Sequence, residues 1–255
     1  MIEKSMIAER LRTNAIGFDE ALPEKISVYL RLLGEWNQKM DLTAANEEDE
    51  WLDKHFIDSL SVLKTNLLPE KGTVIDVGTG AGFPGLVLAA AREELNVTLL
   101  DSQQKRLQFL NAVANELGLK NVKLVHARAE DAGRSPEQRE QYDLAVARAV
   151  APLDVLCELL LPFVRVGGKM ICWKGPALTD EMESGRRAAF LLGGQVEAPV
   201  DCLIAGRDWN HVLLPVIKNR KTPSIYPRKA GEPKRHPLGA SSLHNKASNE
   251  NKGKI

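Results

Sequence analysis

The chain has 255 residues, 44% of them hydrophobic, and its 34 Lys or Arg are balanced by 34 Asp or Glu. That size and apolar content suit one α/β catalytic domain with additions at both ends, and no apolar stretch approaches the roughly 20 residues of a membrane span. With no signal-peptide pattern at the start, only three scattered cysteines (Cys157, Cys172, Cys202) and five histidines without ligand spacing, the sequence predicts a cytoplasmic protein with no disulfide framework and no metal.

The first 65 or so residues read as helices. Ile26, Leu30, Leu33 and Trp36 fall at helical spacing on a helix predicted over residues 23–39, and a second helix from about residue 48 carries Trp51, Leu52, His55, Phe56, Ser59 and Leu60. His55 and Asp58 are three apart on that helix and share a face, so they are expected to pair in a core or capping role rather than to touch substrate.

Residues 74–85, Val-Ile-Asp-Val-Gly-Thr-Gly-Ala-Gly-Phe-Pro-Gly, carry the first chemistry. Val74, Ile75 and Val77 predict a short buried strand, and Gly78, Gly80 and Gly82 let the backbone take positive φ beside a ligand. A helix should follow from residues 83–85, with Pro84 in its first turn, which opens a doubly wound α/β domain. Gly80-Ala-Gly82-Phe-Pro-Gly85 satisfies the dinucleotide pattern G-x-G-x-x-G, but a pyrophosphate beside Asp76 would be repelled. A cationic cofactor such as S-adenosylmethionine is favoured by that acid. An NAD site and a turn with no ligand remain the alternatives.

A second strand, Val97-Thr-Leu-Leu100, ends in Asp101, placed either to accept from ribose hydroxyls or to cap the helix at residues 103–117. After a third strand at residues 122–126, Ala129 and Glu130 stand where a backbone N–H and a carboxylate could read adenine. A fourth strand at residues 143–147 delivers Arg148, which would bind a cofactor carboxylate or a substrate phosphate, or pair with an acid such as Glu130. A fifth strand at residues 168–173 leads to Lys174 and Gly175, and the βαβ rhythm runs to about Ile217.

The zero net charge conceals an asymmetry. Ten Lys or Arg face two acids between Lys218 and Ile255, which leaves 24 basic and 32 acidic residues before them. A basic tail on an acidic body reads as an arm for a polyanion, with Arg220, Lys221, Arg228 and Lys229 as cations and Tyr226 as a stacking surface for RNA. The Ser-, Asn- and Lys-rich end is expected to be disordered beyond residue 238.

Taken together, Trp36-Asn37 through Asp41-Leu42-Thr43, His55-Phe-Ile-Asp-Ser-Leu60, the 74–85 turn, Asp101-Ser102 with Lys105-Arg106, Ala129-Glu130, Ala147-Arg148-Ala149, Lys174-Gly175 and Tyr226-Pro-Arg-Lys-Ala-Gly231 resemble the bacterial 16S ribosomal RNA guanine-N7 methyltransferases, the glucose-inhibited division protein B family. Asp41 stands where that family usually has Asn, and the tail beyond Leu238 is peculiar to this chain. The resemblance implies a class I S-adenosylmethionine-dependent methyltransferase, Rossmann-like, with a mostly parallel seven-stranded sheet whose last strand is antiparallel. It implies the N-terminal helical addition (1–65), which with a methyltransferase domain (66–217) and the basic extension (218–255) makes up the expected organisation of a chain expected to act as a monomer. It also implies cofactor contacts at Gly78, Phe83, Ala129, Glu130 and Arg148, to which the residue reading adds Asp76, Gly80 and Asp101. The implied substrate is guanine 527 of 16S RNA, in the decoding region of the small subunit. Guanine N7 has a lone pair and no proton, so in-line attack on a sulfonium methyl needs alignment rather than a general base, with Arg148 or Lys174 positioning the base near O6. A nicotinamide oxidoreductase and a noncatalytic RNA-binding protein are the competing readings.

Overall fold

Residues Val74 to Val77 form a strand because both faces of the sheet they enter are covered, so successive apolar side chains each find a core. The protein was analysed as a computed structural model, which describes residues 2–43, 48–148, 151–209 and 211–239. Helices come first: α1 (Lys4–Thr13), α2 (Leu22–Asn37) and α3 (Glu48–Trp51), the last winding through a π-helical stretch, Leu52–Ile57, into α4 (Asp58–Leu60). Strands and helices then alternate as β1 (Gly72–Val77), α5 (Gly85–Ala91), β2 (Leu95–Asp101), α6 (Gln104–Glu116), β3 (Val122–His126), α7 (Ala129–Ala132), β4 (Tyr142–Arg148), α8 (Leu153–Leu160), β5 (Val164–Lys174), α9 (Leu178–Leu191), β6 (Gly194–Val196), β7 (Val200–Asp201) and β8 (Val212–Lys218), with α10 (Glu232–Arg235) at the end.

The sheet runs in the order β3-β2-β1-β4-β5-β8-β6, parallel from β3 to β5, with β8 antiparallel to β5. This is the class I methyltransferase architecture expected. The eighth strand arises because β6 and β7 pair in succession along the outer flank of β8, Val196 opposite Val216 and Val200 opposite Leu213. Pro199, which has no N–H for a ladder, stands in the break. Strand side chains divide by parity between two cores. Leu144, Val146, Ile171 and Trp173 pack with α1, α2, α5 and α6, whereas Ala145, Ala147, Met170 and Cys172 pack with α8 and α9.

Three local expectations are corrected. Pro84 precedes the helix as the N-cap of α5 instead of lying in its first turn. The helix predicted from residue 48 is π-wound over Leu52–Ile57, where the Lys54 carbonyl accepts from Arg148 Nη1 at 2.6 Å. A side chain inserted into the i→i−4 ladder is a known cause of such widening. Finally, residues 218–239 are not a free arm. The Lys218 ammonium is fully buried and donates to the Leu161 carbonyl (2.6 Å), the Val164 carbonyl (3.2 Å) and Thr222 Oγ1 (2.6 Å), so a boundary at residue 217 cuts β8. Beyond it, Arg139 donates to the Thr222 and Tyr226 carbonyls, and Arg134 to that of Pro227. The chain thus straps across the α8 side as far as Gly239, whose carbonyl takes Arg187 Nε at 3.0 Å. The expected disorder past residue 238 falls, from residue 240 on, outside the described residues. Among those described, no helix is long and apolar enough to cross a membrane.

The N-terminal helices are joined to the glycine turn through Tyr29. Its hydroxyl donates to the Ala81 carbonyl at 2.5 Å, and its ring stacks on Phe83 at 5.5 Å and meets Phe56 edge-on at 5.0 Å. A Cβ at Gly82, where φ is 94°, would lie 2.2 Å from that hydroxyl, so only glycine lets α2 approach this closely. Tyr29→Phe leaves the Ala81 carbonyl buried without its donor and is expected to lower the unfolding free energy by about 1–2 kcal/mol. Urea denaturation checks this, as a lower midpoint at unchanged m-value.

Candidate active site

The glycine turn, the carboxyl ends of β2, β3 and β4 and the N-terminal helices enclose a cavity of about 550 Å³. Gly78, Gly80, Phe83, Asp101, Ala129, Glu130 and Arg148 all line it, so seven of the eight predicted cofactor residues come together. Asp76 is the exception. It lies fully buried beneath the turn, where Oδ2 accepts from Thr79 Oγ1 at 2.7 Å and from the Gly85 N–H at 2.8 Å, fastening the turn to the start of α5. Its Oδ1 has no partner among the described residues. Burial raises its pKa from 3.8 to about 6, against the hydrogen bonds from Thr79 and Gly85.

Asp101 lines the cavity and binds backbone N–H groups through both oxygens, but it is not the cap of α6, the alternative to a ribose contact. Oδ1 accepts the Gln103 N–H at 2.8 Å, tying down the entry to α6, although Gln103 itself is the N-cap; Oδ2 accepts the Gly80 N–H at 3.0 Å and holds the glycine turn in place. Glu130 does not pair with Arg148. Its Oε1 accepts the Gly231 N–H at 2.9 Å, anchoring the C-terminal strap at the cavity's rim.

Arg148 pairs with the N-terminal helices instead. Nη1 donates to Asp58 Oδ2 (3.0 Å) and to the Lys54 carbonyl, and Nη2 meets His55 Nδ1 at 2.9 Å, while the guanidinium lies 5.2 Å over the Phe83 ring. Asp58, 1% exposed, uses its other oxygen for His211 Nδ1 at 3.0 Å. Asp58 therefore does not pair with His55 as its spacing suggested; both reach Arg148 separately. Because Arg148 can only donate, His55 Nδ1 must accept, which leaves Nε2–H to donate to Thr43 Oγ1 at 2.8 Å. Burial, then the charges of Arg148 and Lys54, hold the His55 pKa down at about 3, and its ring stacks on Phe83 at 4.8 Å. Assigning His55 to a core contact missed its place in the cavity wall.

Lys174 lines a second cavity of about 300 Å³ that shares His55 and Arg148 with the first and is closed by Trp173, Glu181 and His211. Sequence reasoning did not single out Trp173, Glu181 or His211. They sit at the end of β5, in the first turn of α9 and just before β8, with no local spacing to connect them.

A family model described as GidB, rRNA small subunit methyltransferase G, matches residues 23–209. The chain belongs to this family. It is 46% identical over 238 residues to a ribosomal RNA small subunit methyltransferase G of Alkaliphilus metalliredigens, covering 93% of this chain and all of that one. A protein of the same name from Clostridium perfringens is 48% identical over 221 residues, covering 87% of this chain and 92% of the relative. In fold, the chain resembles the Methanococcus jannaschii fibrillarin pre-rRNA processing protein, with a TM-score of 0.50 at 16% identity, over 63% of this chain and 74% of that one. Membership in the GidB family displaces the oxidoreductase and noncatalytic readings.

The residues of this GidB chain fit S-adenosylmethionine. A Cβ at Gly80 would meet nothing nearer than the Gly78 carbonyl at 3.9 Å, so the turn is open on the ligand's side, and the buried Asp76 carboxylate, with an acceptor to spare, sets a negative field beneath it. Among the described residues no group of three His, Cys, Asp or Glu could hold a metal.

Of the predicted RNA contacts, Arg228 is committed elsewhere. Its guanidinium grips the fully buried Glu158 at 2.6–3.2 Å. Tyr226 is half-buried against the α8 side. Arg220, which donates to the Phe190 carbonyl at 2.9 Å and lies over that ring, remains exposed, as do Lys221 and Lys229, and Lys234 and Arg235 join them.

His55 gives a pH signature. Its folded-state pKa lies below the unfolded value, so its contribution to stability is whole above pH 6.5 and is lost as pH falls through 6.5 toward 3. Between pH 6.5 and 5 the unfolding free energy of the wild type should fall by about 2 kcal/mol more than that of His55→Gln. Asp76, whose raised pKa acts in the opposite sense, is common to both proteins and drops out of the difference. Urea titrations of the two proteins across that range test it.

Proposed function

We propose that this enzyme methylates N7 of guanine 527 in the 16S RNA of the small ribosomal subunit. Methylation of ribosomal RNA from S-adenosylmethionine is the family's activity; the nucleotide and the atom are the proposal. The observation that carries it is the wall between the two cavities. His55 and Arg148 belong to both, yet neither offers a base: both His55 nitrogens are engaged, its pKa is far below neutrality, and Arg148 stays protonated. The remaining buried acid nearby, Asp58, is held by Arg148 and His211. The wall itself thus offers no group to take a proton, and guanine N7 has none to lose, so its methylation calls on neither Glu181 nor His211 in the smaller cavity as a base.

When bound in the larger cavity, S-adenosylmethionine supplies an electrophilic methyl on a cationic sulfur. The chain's own residues then supply placement. The glycine turn, Asp101 and Glu130 position the donor, the stack of His55, Phe83 and Tyr29 gives a rigid apolar wall that excludes water, and Lys174 stands across the wall as a donor toward the acceptor base. Such preorganisation can supply several kcal/mol of barrier lowering. The exposed cations of the strap, Arg220, Lys221 and Lys229, are the proposed backbone contacts to RNA.

Tritium from labelled S-adenosylmethionine should enter small-subunit RNA, and borohydride followed by aniline should then cleave at one position, guanine 527. Label that resists this cleavage would sink the N7 assignment. For the strap, the triple variant Arg220→Glu, Lys221→Glu, Lys229→Glu should weaken RNA binding and flatten its logarithmic salt slope by roughly two to three units. These exposed positions are better tests than truncation after Ile217, which would remove the buried Lys218 and Thr222. An unchanged slope would count against the contact.

A further inference from the structure

We propose that the 300 Å³ cavity is a guanine pocket in which the Lys174–Glu181 ion pair reads the Watson–Crick edge of the acceptor base. The inference rests on the acceptor being a guanine, as proposed above, and adds what selects it.

Lys174 ends β5 and Glu181 lies in the first turn of α9; their side chains are 10% and 20% exposed, and both line the cavity. The ammonium spends two of its three donors on the protein, one on Glu181 Oε2 at 2.5 Å and one on the Ala151 carbonyl at 3.3 Å. Glu181 Oε2 also accepts the Leu153 N–H at 2.7 Å, which fixes the carboxylate to the start of α8, while Oε1 has no partner among the described residues. The pair is therefore immobilised by the backbone on two sides and has one donor and one acceptor oxygen to spare. Trp173, Leu156 and Ala177 provide apolar walls around it.

One donor beside one anionic acceptor is the complement of guanine. Along its Watson–Crick edge the base offers O6, which accepts, next to N1–H and the N2 amine, which donate. Lys174 takes O6 and Glu181 Oε1 takes the N–H groups, bonds strengthened by charge and by the scarcity of water. Adenine places an amine against the ammonium and the bare N1 lone pair against the carboxylate, so the same pair repels it. A base gripped by this edge keeps N7 clear of both side chains. Such a grip requires the nucleotide to be unstacked, as enzymes that act on bases commonly demand. The carboxylate also gives the pocket something Lys174 alone lacks, because a lysine by itself accepts any base that presents a carbonyl.

The test uses the full-length enzyme and two small-subunit RNAs that differ only at the acceptor, guanosine or inosine, which lacks the N2 amine. Wild-type methyl transfer, read as kcat/KM for total label, should drop about tenfold or more with inosine, the loss expected for one hydrogen bond to a charged acceptor. In Glu181→Gln, transfer to guanosine RNA should fall and the guanosine-to-inosine ratio should collapse toward one, with affinity for S-adenosylhomocysteine unchanged by calorimetry. Equal wild-type rates on the two RNAs would overturn the proposal without any variant. So would a Glu181→Gln enzyme that kept the wild-type ratio, since a merely structural carboxylate would alter rate and not discrimination. Because total label is counted, a product other than N7-methylguanine would sink the N7 reading while the ratio still decides the pocket.

Discussion

The Arg148 guanidinium is the point on which the rest of the structure turns. It leaves the end of β4, in the middle of the sheet, and is 13% exposed, so its charge is costly unless matched. Asp58 supplies the charge, Lys54 a carbonyl and His55 a ring nitrogen, all from the N-terminal helical segment. The guanidinium thereby fixes how that segment sits on the sheet. It also fixes the His55 tautomer, because an acceptor is required at Nδ1, and it orients His211 through the shared Asp58 carboxylate.

The N-terminal helices consequently are a wall of the site, even though their composition reads as an addition to a catalytic domain. Tyr29 holds the glycine turn from behind while His55 and Thr43 face the ligand side. Both attachments are made at strand ends, where side chains leave the sheet and where a doubly wound fold places its ligands. Dividing one continuous depression at His55 and Arg148 yields two compartments of different chemistry: one lined by glycine backbone, two carboxylates and three arginines, and one holding an ion pair among apolar walls, suited to a base.

What the sequence discloses about this arrangement is what is encoded locally. The β-branched run, the alternating glycines and Asp101 at the next strand's end announce a nucleoside site because each signal lies within a few residues of the element it shapes. Asp76 is legible as important, yet spacing cannot reveal that it lies under the turn and not in the cavity, since only the closing of α5 onto β1 decides that. Partnerships across the fold are illegible. Arg148 meets Asp58, 90 residues away, rather than Glu130, 18 away, because the helical layer lies over β4 while Glu130 faces the strap. The π-helical widening at Leu52–Ile57 is hidden for the same reason: its cause is a side chain arriving from β4.

The C-terminal strap shows how pairing changes the meaning of charge. Counted in sequence, its cations form an arm. In the fold, Lys218 and Arg228 are consumed by the interior, one on carbonyls and Thr222, the other on Glu158. Those buried bonds fasten the strap, which carries Arg220 against Phe190 at the end of α9 and Lys229 beside Gly231, whose N–H reaches Glu130 at the rim of the cofactor cavity. A cation already fixed in position loses less freedom on meeting a phosphate than one on a flexible tail. The two internal pairings therefore reduce the number of charges available to a polyanion and increase what each remaining one contributes to register.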